Sequence, residues 1–264
     1  MTKPLLALFS FVLFIPNLIH KDINEVLPYN GIEAYDPSLA YLNSISKLEN
    51  YVDSVAEKKN IPINDNLAFM EVMANTIRER FYHGFSHYTL NENWIAAVSG
   101  KYIWYNLACI VNPEEIMKHD YAACSQQALV VISILRHKKI PYRTVLFPHH
   151  YALEININEH WYYFDTNLEP KIYGEQRSAE KWNDSNDSIK QYYTWLNRGN
   201  GWLDTTFGVH QKTQYGPVNN IPARHAKLFH LSTKIISKTA WLLPLLFIFF
   251  LERRQTKRAD FSVE

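Results

Sequence analysis

The sequence predicts an α+β fold, and three observations carry that prediction. Segments ahead of residue 137 place apolar residues at helical spacing. Two strand patterns follow: 150–157 alternates apolar and polar side chains, and 160–165 is rich in aromatic, β-favouring residues. Between helices and strands lies a nearly unbroken apolar stretch, 128–135, opened by Cys124. An apolar surface almost all round suits a helix buried at the domain centre, with the cysteine in its first turn.

The elements follow in order. Residues 30–37 are a polar lead-in. Over 39–56, Leu39, Leu42, Ile45, Leu48 and Val52 recur at helical spacing. Asn64 or Asp65 is placed to cap a second helix over 66–82, ended near Gly84. A short third helix is expected over 91–98, and a helical turn or loop over 113–119 leads into the Cys124 helix. Residues 143–147 form a short strand, then 150–157 and 160–165 a hairpin. Residues 179–196 are mixed polar and are expected to be partly helical. From 205 onward the chain is polar, with Gly216-Pro217, Asn219-Asn220 and Pro222, which reads as a tether over 205–234.

Composition narrows the function classes. With 264 residues, 47% of them hydrophobic and 20% charged, the chain can build one domain with a sizeable core, expected over 30–204. Twenty-seven basic against 26 acidic residues leave a net charge of +1, which offers no electrostatic footprint for nucleic acid. Two cysteines, Cys109 and Cys124, exclude a disulfide framework. A bridge between them would abolish any nucleophile, and a buried Cys109 thiol is the preferred reading.

Both ends are hydrophobic. Residues 4–19 (PLLALFSFVLFIPNLI) follow Lys3, so 1–20 reads equally as a cleaved signal peptide or a retained signal anchor. Residues 235–251 form a 17-residue apolar run, the short limit for a transmembrane helix, with Lys238 able to snorkel. Arg253, Arg254, Lys257 and Arg258 follow, which makes 252–264 a cytoplasmic basic tail by the positive-inside rule. The body of the protein is then expected outside the cytoplasm, at the cell membrane. The competing reading of 235–251 is a buried core helix.

The chemistry gathers in 121–165, where Cys124, His150 and Asp165 occur in that order. Amides at a helix start, with the positive end of the helix dipole, stabilise negative charge on a sulfur placed there. If Asn158 and Glu159 form a two-residue turn, facing residues across the hairpin sum to 317. Asp165 then faces Ala152 and becomes a diagonal neighbour of His150 on the same face, within side-chain reach. One residue more or less in the turn would put them on opposite faces. The expected roles are Cys124 as nucleophile, His150 as general base and acid, and Asp165 as the group that orients the imidazole. The Cys124 amide is one oxyanion donor; Tyr121, Gln126 and Trp161 are candidates for a second. His149 competes weakly with its neighbour. Glu154 shares the site face and reads as a solvated strand residue. A zinc site from Cys124, His149 and His150 lacks C-x-x-C or H-E-x-x-H spacing.

At these residues the chain resembles the transglutaminase-like superfamily, a branch of the papain-like thiol enzymes. The matching motifs are CSQQA from Cys124, LRHKKIPYRTV from Leu135, HYALEI from His150 and WYYFD from Trp161. Ala122-Ala123 departs from the Gly that often precedes the cysteine, and Tyr151-Ala152 from a small residue followed by Trp. The resemblance implies a papain-like core in which the Cys124 helix packs on an antiparallel sheet, and a Cys124–His150–Asp165 catalytic triad. It implies a hydrolase or acyl-transfer enzyme acting on protein or peptide amides, including those of a cell envelope. No calcium or other cofactor is needed for that chemistry. The alternative class is a catalytically silent binding or scaffold module of the same fold. The partners expected are a protein or peptide substrate and the membrane.

Overall fold

The computed structural model describes residues 3–31, 33–62, 65–166, 206 and 213–260. In chain order the helices are α1 (Lys3–Phe14), α2 (Ile45–Lys58), α3 (Asn66–Arg80), α4 (Leu90–Tyr102), α5 (Pro113–Ile116), α6 (Cys124–His137), α7 (Arg224–Thr239) and α8 (Leu242–Asp260). The strands are β1 (Tyr142–Phe147), β2 (His150–Ile157), β3 (His160–Phe164) and β4 (Gln214–Tyr215), in an antiparallel sheet ordered β3-β2-β1-β4. The expected α+β class is therefore present. The expected partly helical segment 179–196 lies outside the described residues.

The chain separates into two compact units. One, the sheet unit, comprises Leu27–Ser86 and Val111–Ala223; the other, the helical unit, comprises Met1–Val26, His87–Ile110 and Arg224–Glu264. The expected continuous domain over 30–204 is thus interrupted, because 87–110 packs with the two chain ends. Periodicity shows that a segment is a helix but not which neighbour covers its face.

Within the sheet unit, local chemistry sets the boundaries. The helical pattern over 39–56 is broken: a short 3-10 turn (Pro37–Tyr41) precedes α2, which starts where the Ser44 hydroxyl accepts the Lys47 N–H. Asp65 caps α3 by accepting the Ala68 N–H. Leu48 and Val52 of α2, Met73 and Ile77 of α3, and Val130 and Val131 of α6 are completely buried. Helix α6 packs on β2, and its apolar circumference is explained by that central place.

Residues 214–220, expected to be tether, are instead part of this unit. Tyr215 and Gln214 pair with Val145 and Leu146, and the Gly216 N–H donates to the Thr144 carbonyl at 2.9 Å. A Cβ on Gly216 would come within 2.1 Å of Thr144 Oγ1, so any larger residue would have to turn that hydroxyl aside. Asn219 continues the ladder, donating to and accepting from the Tyr142 backbone. A two-residue strand held by distant partners leaves no periodicity to read.

Glu154 is fully buried rather than solvated, and Arg143 answers its charge with an Nε to Oε2 hydrogen bond of 2.6 Å. The guanidinium lies over the Trp161 ring at 4.5 Å and the Tyr215 ring at 4.2 Å, so this one side chain ties β1, β2, β3 and β4 together.

In the helical unit, α1 lies against α8 and α4 against α7. The predicted short helix 91–98 is longer, α4, and Glu92 closes its first turn by accepting the Thr89 N–H at 2.9 Å. The expected single span 235–251 does not form. The chain breaks between α7 and α8 with a 51° bend, and among the described residues no single helix is long and apolar enough to cross a membrane. Pro244 supplies the reason: it has no N–H for the Ala240 carbonyl and its ring crowds that carbonyl. Residues 224–234, also expected to be tether, are the first turns of α7.

Removing one partner of a buried ion pair strands the other's charge. Arg143→Ala is expected to lower the stability read by urea denaturation by about 3–5 kcal/mol, whereas Arg143→Met/Glu154→Leu should recover most of that. A single-variant loss below about 1 kcal/mol would show that the pair does not hold the sheet.

Candidate active site

Every element at the site is positioned from within the sheet unit. The loop before α6 is pinned first. The fully buried Arg80 donates to the carbonyls of Leu42 and Met117, at 3.2 and 2.9 Å, and lies 3.3 Å from the Asp120 carboxylate. The Tyr82 N–H donates to the Asp120 carbonyl and the Ala122 N–H to the Tyr82 carbonyl, each at 3.1 Å. Gln126 completes the frame: Oε1 accepts from the amides of Ser86 (2.8 Å) and Ala123 (3.2 Å), and Nε2 donates to the Ser86 carbonyl (2.9 Å). Cys124 therefore opens α6 at a fixed place, half-buried, with its thiol unbridged. Its amide is among the first in the helix, which have no intrahelical acceptor.

The hairpin supplies the other two groups. Asn158 and Glu159 both have positive φ, 51° and 67°, the pattern of a type I′ turn. The register runs from Ile157 facing His160 to Leu153 facing Phe164. Those pairs sum to 317, as the sequence predicts. Asp165 follows β3 on the face of His150, and its Oδ2 lies 2.5 Å from His150 Nε2. Cys124 lies near enough to the imidazole to raise its pKa. With Nε2 engaged by the carboxylate, Nδ1 is the ring nitrogen left for the sulfur. The three predicted residues are thus brought together. His149 is not: it sits exposed in the turn before β2 with φ 62°.

Two residues absent from the sequence prediction complete the pair's surroundings. Tyr163 donates its hydroxyl to the same Asp165 oxygen at 3.2 Å. Phe147, opposite His150 in the register, stacks on the imidazole with centroids 6.4 Å apart and meets Tyr163 edge-on at 6.0 Å. Alternation was the available signal, since Tyr163 lies two residues before Asp165 and so on its face. Together the two rings help keep water from a histidine and a carboxylate that are both buried.

Electrostatics follow from that seclusion. Burial, the largest influence on His150, disfavours its charge. The Asp165 carboxylate, through charge and hydrogen bond, and Cys124 together outweigh it, and the imidazole pKa rises from 6.5 to about 10. Burial pushes the Cys109 thiol up to about 12, which marks it as a packing residue. Burial likewise raises the Tyr151 phenol to about 12; a Thr144 hydrogen bond opposes this, and Cys124 lies near enough to reinforce it.

The candidates for a second oxyanion donor fare differently. Gln126 is committed to the loop frame. Trp161 faces Asn156, six residues along β2 from His150, or about 20 Å at strand rise, with Arg143 on its ring. Tyr121 stacks with Tyr82 and His119, its ring centroid 5.6 Å from each. No family model, curated protein or solved structure matches the chain.

A histidine whose pKa is raised in the folded state stabilises the fold fully below its unfolded value, near 6.5, and loses that contribution as pH climbs to about 10. Urea midpoints of the wild type should therefore decline across pH 6.5–10, and Asp165→Asn should flatten the decline. An unchanged slope in Asp165→Asn would show that the carboxylate does not hold the charge. Tyr163→Phe removes a hydrogen bond to a charged acceptor and should cost about 1.5–3 kcal/mol in the same denaturation measurement.

Proposed function

We propose that this protein is a transglutaminase-like thiol enzyme that cleaves or transfers the acyl group of protein or peptide amides. It works at a membrane, with the sheet unit outside the cytoplasm. The observation that carries the chemistry is the buried His150–Asp165 hydrogen bond with Cys124, at the start of α6, near enough to raise the imidazole pKa. The order of the three along the sequence, and the helix-then-hairpin layout beneath them, support a papain-like core. The apolar ends of the chain support the membrane location.

The reaction follows from the roles. Cys124 Sγ attacks the carbonyl carbon and its proton resides on His150. The charge that develops on the carbonyl oxygen is met by the Cys124 amide at the helix start. The C–N bond breaks as His150 returns the proton to the leaving amine, which leaves a thioester on Cys124. Water or a second amine then attacks the thioester, giving hydrolysis or transamidation from one intermediate. Asp165 orients the imidazole throughout and stabilises its cation whenever it carries the proton, with Tyr163 holding Asp165.

The test is capture of the intermediate. Incubation with activated acyl esters and glutamine-containing peptides should add the acyl mass to Cys124, and hydroxylamine should release it as the hydroxamate. Cys124→Ala should show no adduct. Turnover that survives Cys124→Ala would remove the enzyme reading. Peptide binding without any adduct in the wild type would instead favour a catalytically silent module.

A further inference from the structure

Helix α7 is built inside out. The side it buries is polar: His230, Thr233 and Ser237. Asn93 of α4 donates to Thr233 Oγ1 at 2.9 Å, and Ser237 Oγ donates to Asn93 Oδ1 at 3.0 Å. His230 Nε2 lies 3.0 Å from the Leu107 carbonyl. The opposite side is mainly apolar and open: Leu228, Leu231 and Ile235 are 63, 58 and 56% exposed, with Ile236 beside them, and Ser232, Thr239 and, at the helix start, Arg224 are among the polar residues on it. A helix packed against its own protein in water turns these faces the other way. Hydrogen-bonded polar contacts inside with Leu and Ile outside is the arrangement of a helix whose outer neighbour is hydrocarbon.

Charge identifies which hydrocarbon. Lys227, Lys234 and Lys238 recur at intervals of seven and four, so they line one flank of the apolar stripe, Lys238 also donating to the Asn91 carbonyl of α4, and α7 contains no acidic residue. An apolar face edged by lysines is the pattern of a helix seated at the boundary between headgroups and acyl chains of an anionic bilayer. A water-soluble partner helix would meet a surface with no acidic residue to pair with its own basic ones. The same unit also exposes Tyr102, Ile103 and Trp104 together, a run suited to the membrane interface.

We infer that α7 is an interfacial membrane helix, with Leu228, Leu231 and Ile235 in the acyl boundary and the lysine flank among anionic lipid headgroups. The inference deepens the membrane attachment in the proposed function and is independent of the thiol chemistry. A chain lacking Cys124 therefore tests one without the other.

The experiment places nitroxide labels at 227, 228, 234 and 235, one at a time, in the full chain carrying Cys109→Ala/Cys124→Ala. The labelled chains are reconstituted in phosphatidylcholine vesicles with and without phosphatidylglycerol. Labels at 228 and 235 should be accessible to oxygen and shielded from a water-soluble nickel chelate, about 5–10 Å below the phosphates. Labels at 227 and 234 should be open to the chelate. Chelate access at 235 overturns the inference, as does shielding of 235 from both reagents, which means protein covers it. Spin–spin broadening at 235 also overturns it, since a second copy then occupies the face. A second arm keeps both native cysteines. Lys227→Gln/Lys234→Gln/Lys238→Gln should reduce the preference for phosphatidylglycerol vesicles about 10²-fold in flotation, at roughly fivefold per lysine. An unchanged preference overturns the anionic-lipid assignment.

Discussion

The candidate site depends on the register of one hairpin. Side chains in a strand alternate faces, so His150 and Asp165 meet only if the turn between β2 and β3 has an even count. Asn158 and Glu159 supply it, both in the left-handed region that a type I′ turn requires. A shift of one residue would send Asp165 to the other face and put Phe164 in its place. Tyr163 shares that face through the same register, whereas Phe147 reaches His150 through the separate turn between β1 and β2. Seclusion from water is what allows a carboxylate 2.5 Å away to hold the imidazole charged against the cost of burial.

The two units of the chain follow opposite solvent rules. In the sheet unit apolar side chains go inward, and the buried charges, Arg80 with Asp120 and Arg143 with Glu154, each have a partner. In the helical unit α7 keeps its polar side chains inside and shows Leu and Ile outward. Helices α1 and α8 likewise expose large hydrophobic side chains, among them Phe9, Phe11, Phe247 and Phe250. One chain thus carries a unit organised for water and a unit organised for a less polar neighbour. This is a physical basis for joining thiol chemistry to a membrane location in one proposal.

Much of the architecture was legible because it is local. Helical spacing, the Asp65 cap and the strand alternation over 150–157 each need only neighbouring residues, and α3, α6, β2 and β3 form close to where those signals place them. What escaped was nonlocal. Strand β4 is two residues whose partners lie about 70 positions away, so its residues read as a polar tether. Glu154 read as solvated because a strand position does not reveal whether something covers its face. The run 235–251 read as one span because hydropathy averages over Pro244, whose missing N–H breaks the helix there.

By itself the sequence determined the residue types, their order and the strand alternation, so that a two-residue turn would put His150 and Asp165 on one face; the structure shows that Asn158 and Glu159 form that turn. The order and the alternation follow from covalent spacing and the two-residue strand period, which no distant contact alters. Only the tertiary structure decided that the helix of Cys124 is docked so that its sulfur lies near the imidazole. It alone brought Tyr163 and Phe147 into the site and assigned 87–110 to the helical unit. Those outcomes depend on packing between elements far apart in the chain, where many arrangements satisfy the same local pattern and side-chain volume and hydrogen-bond satisfaction choose among them.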